Sequence, residues 1–525
     1  MTERNSMTQS VPSEATKAPD ERSRGNVLWS AIDFAALPVG MLIATPIFIH
    51  VLGIEKFGVL VLVSAFVGFS AVFNFGFGDT ALKFVSHHVN LGARERAAEI
   101  VGTIGSLSLV SGGVVGGIFA LSAPYAAMLF GLGDLPYAVP TLQIAALIMP
   151  LRMLESVYIA TLRGCYRYDL SGAVTVSTKL CNLGLQVALA LMGYDLPALL
   201  LATVATLVLS NSALVVFGAK QVGRITPGFS RSAFSEIRDF SLWSWLQGVS
   251  GFVYINTDRL LVSAFLGPAA LGVYGVCLQL AQNIHYGLAA VAHSFFPKIS
   301  MLNAASHDGR QRDDDALREL YLTVGRSLTV VAITGGVAIA VFAYQILEIW
   351  VGPAIAEQGQ YVLAVLSISF AWFAANSIIT YYTLNGLGLA KRQASVSVTA
   401  SVLMGLGCAV LIPLFGILGA AAVRLPDALY RMGVRMYIGR RIIGGISPWS
   451  SLDFIRITIV ALCIGLPLKF VLLDWLGNNR LLAEPAALGI ILVAGIVGFF
   501  AIYRGESWLV RRQLTQAGRG EVIHD

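Results

Sequence analysis

Ionisable side chains are rare in this sequence, and the positions of the few inside its apolar stretches are its most informative feature. Asp258 and Arg259 are adjacent, so on a helix their side chains diverge by about 100° and each needs a partner from elsewhere. Lys179 has no acid three or four residues away, and Asp33, early in the first predicted helix, is either its partner or part of a cytoplasmic mouth. Arg152 with Glu155, and Arg424 with Asp427, are spaced i, i+3, where opposite charges can meet on one helix face. Holding a charge in a bilayer core costs at least about 2.5–3.5 kcal/mol on insertion scales, so such groups face a protein interior or a hydrated path. Cations there suit a phosphate-bearing ligand, with arginine favoured where two oxygens are contacted together. The carboxylates Asp258 and Asp427 suit proton uptake and hence coupling to an ion gradient.

Polar residues at helical spacing extend the pattern. Gln247, Ser250, Tyr254 and Asp258 fall on one face, as do Gln279, Gln282, Asn283, Tyr286 and His293. Three further stripes are Thr175, Lys179, Asn182 and Gln186; Ser369, Asn376, Thr380 and Thr383; and Arg424, Asp427, Arg431 and Arg435. Such residues also stitch helices together through interhelical hydrogen bonds. Five stripes drawn from both halves of the chain, three of them charged, favour a hydrated central cavity lined by both halves. The residues expected to bind a ligand in that cavity are Lys179, Arg259, Arg424, Arg152, Gln247, Tyr254, Gln282, Asn283 and Asn376. Those expected to couple transport to an ion are Asp258 and Asp427.

Other chemistries lack their residues. No Ser-His-Asp set, phosphate-cradling GxxxxGK[ST] loop or HExxH site occurs. The five cysteines follow no CxxC spacing and read as small packing residues. His87-His88 has no ligand-like company, and His285, off the polar face, reads as a packing residue. We expect no catalytic residue, no metal, no cofactor and no nucleic-acid partner.

The elements that must position these groups follow from composition. The chain of 525 residues is 56% hydrophobic and 13% charged, against about 25% charged in soluble domains, and its mean hydropathy is +0.73. Apolar runs long enough to cross a bilayer predict fourteen helices near 27–52, 57–82, 101–123, 137–162, 171–192, 196–218, 238–266, 270–296, 320–347, 359–385, 393–415, 417–437, 453–473 and 485–503. This is an all-α polytopic membrane protein. With the N-terminus inside, twenty-eight Lys and Arg residues fall at inner loops and tails and only Lys56 and Arg480 outside, the asymmetry expected of a plasma-membrane protein. Both termini are therefore expected in the cytoplasm, with residues 1–25 and 505–525 as tails. The outer loops are too short for a catalytic domain, which argues against a membrane polysaccharide polymerase or ligase.

The chain also echoes itself. Leu52-Gly53-Ile54-Glu55-Lys56-Phe57-Gly58-Val59 returns 214 positions later as Leu266-Gly267-Pro268-Ala269-Ala270-Leu271-Gly272-Val273. An offset of six spans makes a parallel repeat, and transporters commonly place substrate sites between such repeats. The expected units are 26–220, 221–440 and a pair of extra helices within 441–504, with a solvated linker at Lys298 to Arg326 that contains the acidic run 313–315.

Together with Phe75-Gly76-Phe77-Gly78-Asp79-Thr80-Ala81-Leu82-Lys83, the block Asp258-Arg259-Leu260-Leu261 to Tyr274, and Phe296-Pro297, these motifs resemble the Wzx-type polysaccharide-biosynthesis flippases of the MOP exporter superfamily, over Asn26 to Arg504. The resemblance implies two six-helix lobes around a central cavity plus two C-terminal helices. It also implies an undecaprenyl-diphosphate-linked oligosaccharide as the substrate, passed from the cytoplasmic to the periplasmic leaflet of the inner membrane by alternating access. O-antigen, exopolysaccharide or capsule synthesis would use such a step, with the polysaccharide polymerase and chain-length regulator as further partners. Asp258 and Arg259 match a position where the family often carries an acidic or polar residue; Lys179, Arg152 and Arg424 rest on the physical argument alone. A multidrug or other lipid exporter of the MATE branch is the alternative, and the mixture of buried cations with acids favours an anionic substrate over a drug cation.

Overall fold

The computed structural model describes residues 19–292, 299, 314–444 and 453–477. The span at 485–503, both tails beyond those limits, His293 and most of the linker at Lys298 to Arg326 lie outside the described residues. The described chain is almost wholly helical: α1 (Pro19–Leu52), α2 (Ile54–Gly68), α3 (Ser70–Phe73), α4 (Phe77–Asn90), α5 (Arg94–Leu129), α6 (Ala138–Gly164), α7 (Tyr168–Leu191), α8 (Leu196–Val222), α9 (Arg231–Ala292), α10 (Asp314–Val341), α11 (Ala343–Val351), α12 (Pro353–Gly386), α13 (Ala390–Ala422), α14 (Arg424–Tyr437) and α15 (Asp453–Gly477). Thirteen of the fourteen predicted spans fall on these helices. Among the described residues nine helical stretches, one of them α2 continued by α3, are long and apolar enough to cross a membrane, and the longest holds two spans joined end to end.

Helix ends follow local chemistry. Asp195 caps α8, its carboxylate accepting from the Leu196 amide at 2.8 Å with proline in the first turn. Gly53 separates α1 from α2 at φ 83°, and Gly267 interrupts α9 at φ 82°, a left-handed conformation that only glycine adopts without strain. The expected continuous span at 57–82 is instead broken into α2, α3 and α4. Asn74 sits at the break and donates from Nδ2 to Ser156 Oγ at 3.0 Å, so part of the interruption is tied to α6.

α5 packs on α6, α6 on α8, α1 on α7 and α7 on α8; among the later helices α10 packs on α12, and α12 on α14. The two sets meet where α2 lies along α9, and one core joins Phe48, Phe57 and Leu62 to Leu271, Tyr274 and Leu366. Outward faces remain apolar and exposed, as Leu406, Val410 and Leu414 on α13 are, which suits helices whose solvent is lipid.

The sequence repeat has a geometric counterpart at the α2–α9 contact. A Cβ on Gly58 would collide with the Pro268 carbonyl, and one on Gly272 with the Ile54 carbonyl. These contacts are reciprocal, because 58 and 272, and 54 and 268, are equivalent positions of the repeat. Gly275 meets its own equivalent: a Cβ there would lie 2.8 Å from the Val61 side chain.

Candidate functional site

The sequence places Thr175, Lys179, Asn182 and Gln186 on one face of α7, and that face lines a cavity of about 790 Å³ enclosed by α1, α2, α4, α6, α7 and α8. α1 contributes Asp33 and α6 contributes Arg152, Glu155 and Arg163. Asp33 is the hub. Its carboxylate accepts from Lys179 Nζ at 2.7 Å, Arg163 Nη2 at 3.0 Å and the Thr175 hydroxyl at 2.8 Å. Arg152 Nη1 donates to Glu155 Oε2 at 2.7 Å, and the other Glu155 oxygen accepts from Ser210 at 3.0 Å.

α4 adds Asp79, an exposed acid, but the two acids that hold the cations, Asp33 and Glu155, are sunk and their cations stand proud. Side-chain exposure is 12% for Asp33 and 8% for Glu155, against 29% for Lys179, 37% for Arg163 and 39% for Arg152. Each carboxylate spends its lone pairs on orienting cations, and Lys179 also donates to the Asp33 carbonyl at 3.1 Å, while the more exposed parts of the three cations remain open to the cavity. The wall therefore presents donors to a ligand although its formal charges nearly cancel, an arrangement suited to phosphate oxygens. The Gln186 amide is held by Thr203 at 2.8 Å, and Thr206 donates to Asn182 at 3.3 Å.

The other expected cations lie elsewhere. Arg424, at the start of α14, pairs with Asp258 of α9 rather than with Asp427 at i+3: Nη2 to Oδ2 is 2.5 Å. The Tyr274 hydroxyl donates to the same oxygen at 2.6 Å, and Asp258, Arg424 and Tyr274 are all buried. A second set runs alongside, in which Asp427 accepts from Arg431 at 3.1 Å and from the Tyr254 hydroxyl at 2.6 Å. Phe370 and Phe373 lie under the Arg424 and Arg431 guanidinium groups at 4.6 and 4.7 Å, so the charges are compensated by carboxylate, phenol and ring faces together.

Arg259 diverges from Asp258 as its neighbouring position requires; its Nη2 lies 3.5 Å from Gln282 Oε1. One turn away, Gln279 accepts from Thr45 of α1 at 2.9 Å. The Arg259 Nε, Gln279 Nε2 and Asn283 Nδ2 atoms are buried without a hydrogen-bond partner among the described residues. Asn376 is fully buried and donates to the Trp372 carbonyl of its own helix at 2.8 Å. His285 packs its ring against Phe373 at 4.7 Å. The Gln247 side chain lies outside the described residues.

The five stripes thus do not share one cavity. The α7 stripe lines the cavity among the early helices, the Tyr254–Asp258 stripe of α9 faces that of α14 in buried ion pairs, the Gln279–Gln282 stripe of α9 meets Thr45 and Arg259, and the α12 stripe is packed away. Arg152 and Lys179 come together, whereas Arg259 and Arg424 are not on that wall. Arg163 belongs to the wall but counts as an inner-loop cation in the sequence, since the hydropathy window closes at 162. Its signal was its spacing: eleven residues after Arg152, it returns to the same helix face.

The family described as "Polysaccharide biosynthesis protein" matches residues 49–357. A Haloferax volcanii protein named "Probable flippase AglR" is 24% identical over 271 residues, which make up 50% of this chain and 53% of that protein. The chain thus spans about half the length of this relative. A Shigella flexneri protein carrying the name of an O-antigen transporter is 22% identical over 419 residues, 75% of this chain and 92% of its own. Among solved structures, the lipid II flippase MurJ in an inward closed conformation superimposes with a TM-score of 0.67 over 93% of this chain and 100% of its own, at 14% identity. An inward-facing multidrug resistance MATE transporter of the MOP superfamily gives 0.63 over 82% and 99%, at 16% identity. These likenesses show the fold shared with MATE and MurJ transporters.

Proposed function

The chain belongs to the polysaccharide biosynthesis protein family, and from that premise we propose that it is a flippase for undecaprenyl-diphosphate-linked oligosaccharides, moving them from the cytoplasmic to the periplasmic leaflet of the inner membrane. The observation that carries this reading is the cavity wall on which Lys179, Arg152 and Arg163 are each more exposed than the carboxylate that positions them. A lipid diphosphate brings negative charge, hydroxyl-rich sugars and a long apolar chain. The cationic wall takes the first, the amides of Asn182 and Gln186 suit the second, and the surrounding lipid keeps the third. The name of the Haloferax volcanii relative supports flipping, and those of the Shigella flexneri relative and the MurJ neighbour support the same substrate class.

Movement then requires the early and late helices, taken as lobes 26–220 and 221–440, to change their mutual tilt. The α2–α9 contact closes one end, where the short loops Gly53–Lys56 and Gly267–Ala270 face the periplasm in this reading, with both termini in the cytoplasm. Arg259, Gln282 and Asn283 on α9 supply a second donor-rich surface for the sugar when the lobes part. Arg424, Tyr254 and Asn376 act within the bundle that carries that surface. Asp258 and Asp427 are the groups through which a proton would couple to the motion, each by giving up an arginine. A polysaccharide polymerase and chain-length regulator would act on the delivered unit.

The test is reconstitution of the purified protein in vesicles loaded on one leaflet with a polyprenyl-diphosphate oligosaccharide, using a membrane-impermeant glycosidase to read which leaflet holds the glycan. Protein-dependent equilibration of the glycan is the expected result. No movement above protein-free vesicles, together with export of an organic cation dye, would replace this reading with that of a drug exporter.

A further inference from the structure

The segment that joins the two sets of helices does not hang free. From Gly223 to Ser241 it lies antiparallel along α5 and then α4. The Gly228 amide donates to Ser106 Oγ at 2.9 Å and the Ser230 amide to Thr103 Oγ1 at 3.2 Å. Glu236 then takes two side chains of the early helices, His88 Nε2 at 2.7 Å and Arg96 Nη2 at 2.9 Å, while Arg96 also reaches Ser232 at 3.0 Å. Lys83 sits 4.0 Å over the Phe240 ring, and the hydroxyls of Thr80 and Ser241 are 2.8 Å apart. The ion pairs are partly open to solvent, with side-chain exposures of 13% to 30%, so they are weak and sensitive to salt.

The same helix is held differently further along. Ser250 offers its carbonyl to Ser401 of α13 at 2.7 Å, and Tyr254 and Asp258 enter the buried pairs with α14. No residue of α9 leaves helical geometry before Gly267. α9 is therefore one stiff arm, zipped to the early helices near Glu236 by partly exposed ion pairs beside a small buried patch of Ala233, Ile237 and the Thr80–Ser241 hydroxyls, and clamped to the late helices by buried charges near Tyr254. The two points are eighteen residues apart, about 27 Å at about 1.5 Å per residue. A tilt of about 10° at the clamp displaces Glu236 by about 5 Å, well beyond hydrogen-bond range.

We propose that the Gly223–Ser241 strap is an ionic latch, which must peel from α4 and α5 before the late helices can tilt against the early ones. This inference rests on the transport reading only in supposing that such a tilt occurs. The weaker attachment yields and the buried clamp persists, so the strength of the latch sets how readily the protein changes state.

Stapling the latch tests it. Thr80→Cys with Ser241→Cys places two sulfurs where hydroxyls now touch, within disulfide reach. In the full-length protein in vesicles, oxidation is expected to lower glycan transport at least tenfold and a reductant to restore it. Transport at the unstapled rate in the oxidised protein would overturn the proposal. A second measurement needs no substrate: hydrogen exchange of the amides from Ser232 to Ser241 should quicken several-fold in Arg96→Gln and Glu236→Gln and slow in the oxidised double-cysteine protein. Unchanged exchange in all three variants would also overturn it. If the wild type moves no glycan, the transport reading fails, and the exchange experiment still decides the latch.

Discussion

Val61 and Gly275 are equivalent positions of a 214-residue repeat, and they touch each other. A side chain on Gly275 would begin 2.8 Å from a Val61 methyl. Reciprocal contacts of Gly58 with Pro268 and of Gly272 with Ile54 flank this meeting point. The pseudo-twofold axis of the repeat therefore passes between α2 and α9.

The obstacles at these glycines differ in kind, and so should the cost of filling them. Gly58→Ala and Gly272→Ala press on backbone carbonyls that cannot turn aside and should each cost about 1–3 kcal/mol, as overpacking typically does. Gly275→Ala presses only on a side chain and should cost less, with Val61→Ala relieving it. Thermal unfolding in detergent checks the order; equal losses at all three positions would show that the contact is loose.

At the cavity, a cation on a poorly solvated phosphate contributes about 1.5–3 kcal/mol. Lys179→Gln or Arg152→Gln should thus weaken binding of the lipid diphosphate about 10- to 150-fold. Arg163→Gln should do the same, because Arg163 shares the wall. Arg259→Gln should leave diphosphate affinity nearly unchanged while reducing discrimination among sugars. Isothermal titration with polyprenyl diphosphate, with and without its glycan, separates the two effects.

Asp258→Asn leaves Arg424 buried without its carboxylate and should destabilise the fold by about 3–5 kcal/mol. Asp258→Asn combined with Arg424→Gln should recover most of that loss, whereas Asp427→Asn combined with Arg424→Gln should not. Denaturation midpoints of the single and double variants settle the pairing. Should Asp258→Asn keep its stability and lose only transport, coupling through this carboxylate would be the better account.

Glu236 gives the latch a pH dependence. Burial pushes its carboxyl up, but the hydrogen bonds from His88 and Arg96 outweigh this and hold it below its ordinary value. A carboxylate depressed on folding contributes fully above its unfolded value, about 4.3, and loses that contribution as pH falls through the lower folded value. Strap amides should therefore stay protected from pH 7 down to about 4.3, and open only in stronger acid. In Glu236→Gln the acid-dependent step should vanish.

Much of the fold was legible because its determinants are local. Length and apolarity mark spans, and glycine at positions 53 and 267 marks breaks that a repeat offset of 214 reinforces. Helical periodicity also isolated the α7 stripe that lines the cavity. The same periodicity cannot say whether a polar face meets a cavity or another polar face, so the Tyr254–Asp258 stripe of α9 and the α14 stripe read as cavity wall when they are each other's partners. Arg424 and Asp258 lie 166 residues apart, and nothing local announces their pairing. Arg163 was obscured by a hydropathy boundary, although its spacing from Arg152 held the information.

The reciprocity at α2 and α9 also bears on how such a chain could arise. A contact in which one residue meets a second, and their repeat equivalents meet in the opposite sense, is the contact of a twofold homodimer. Joined in one polypeptide, the two copies keep the shared interface while each is free to diverge away from it. Divergence is visible within a few turns of the axis, where Thr45 in the first copy answers to Arg259 in the second and Val61 answers to Gly275. A symmetric dimer must carry any charge twice; this chain places an arginine on one side of its seam and a hydroxyl on the other.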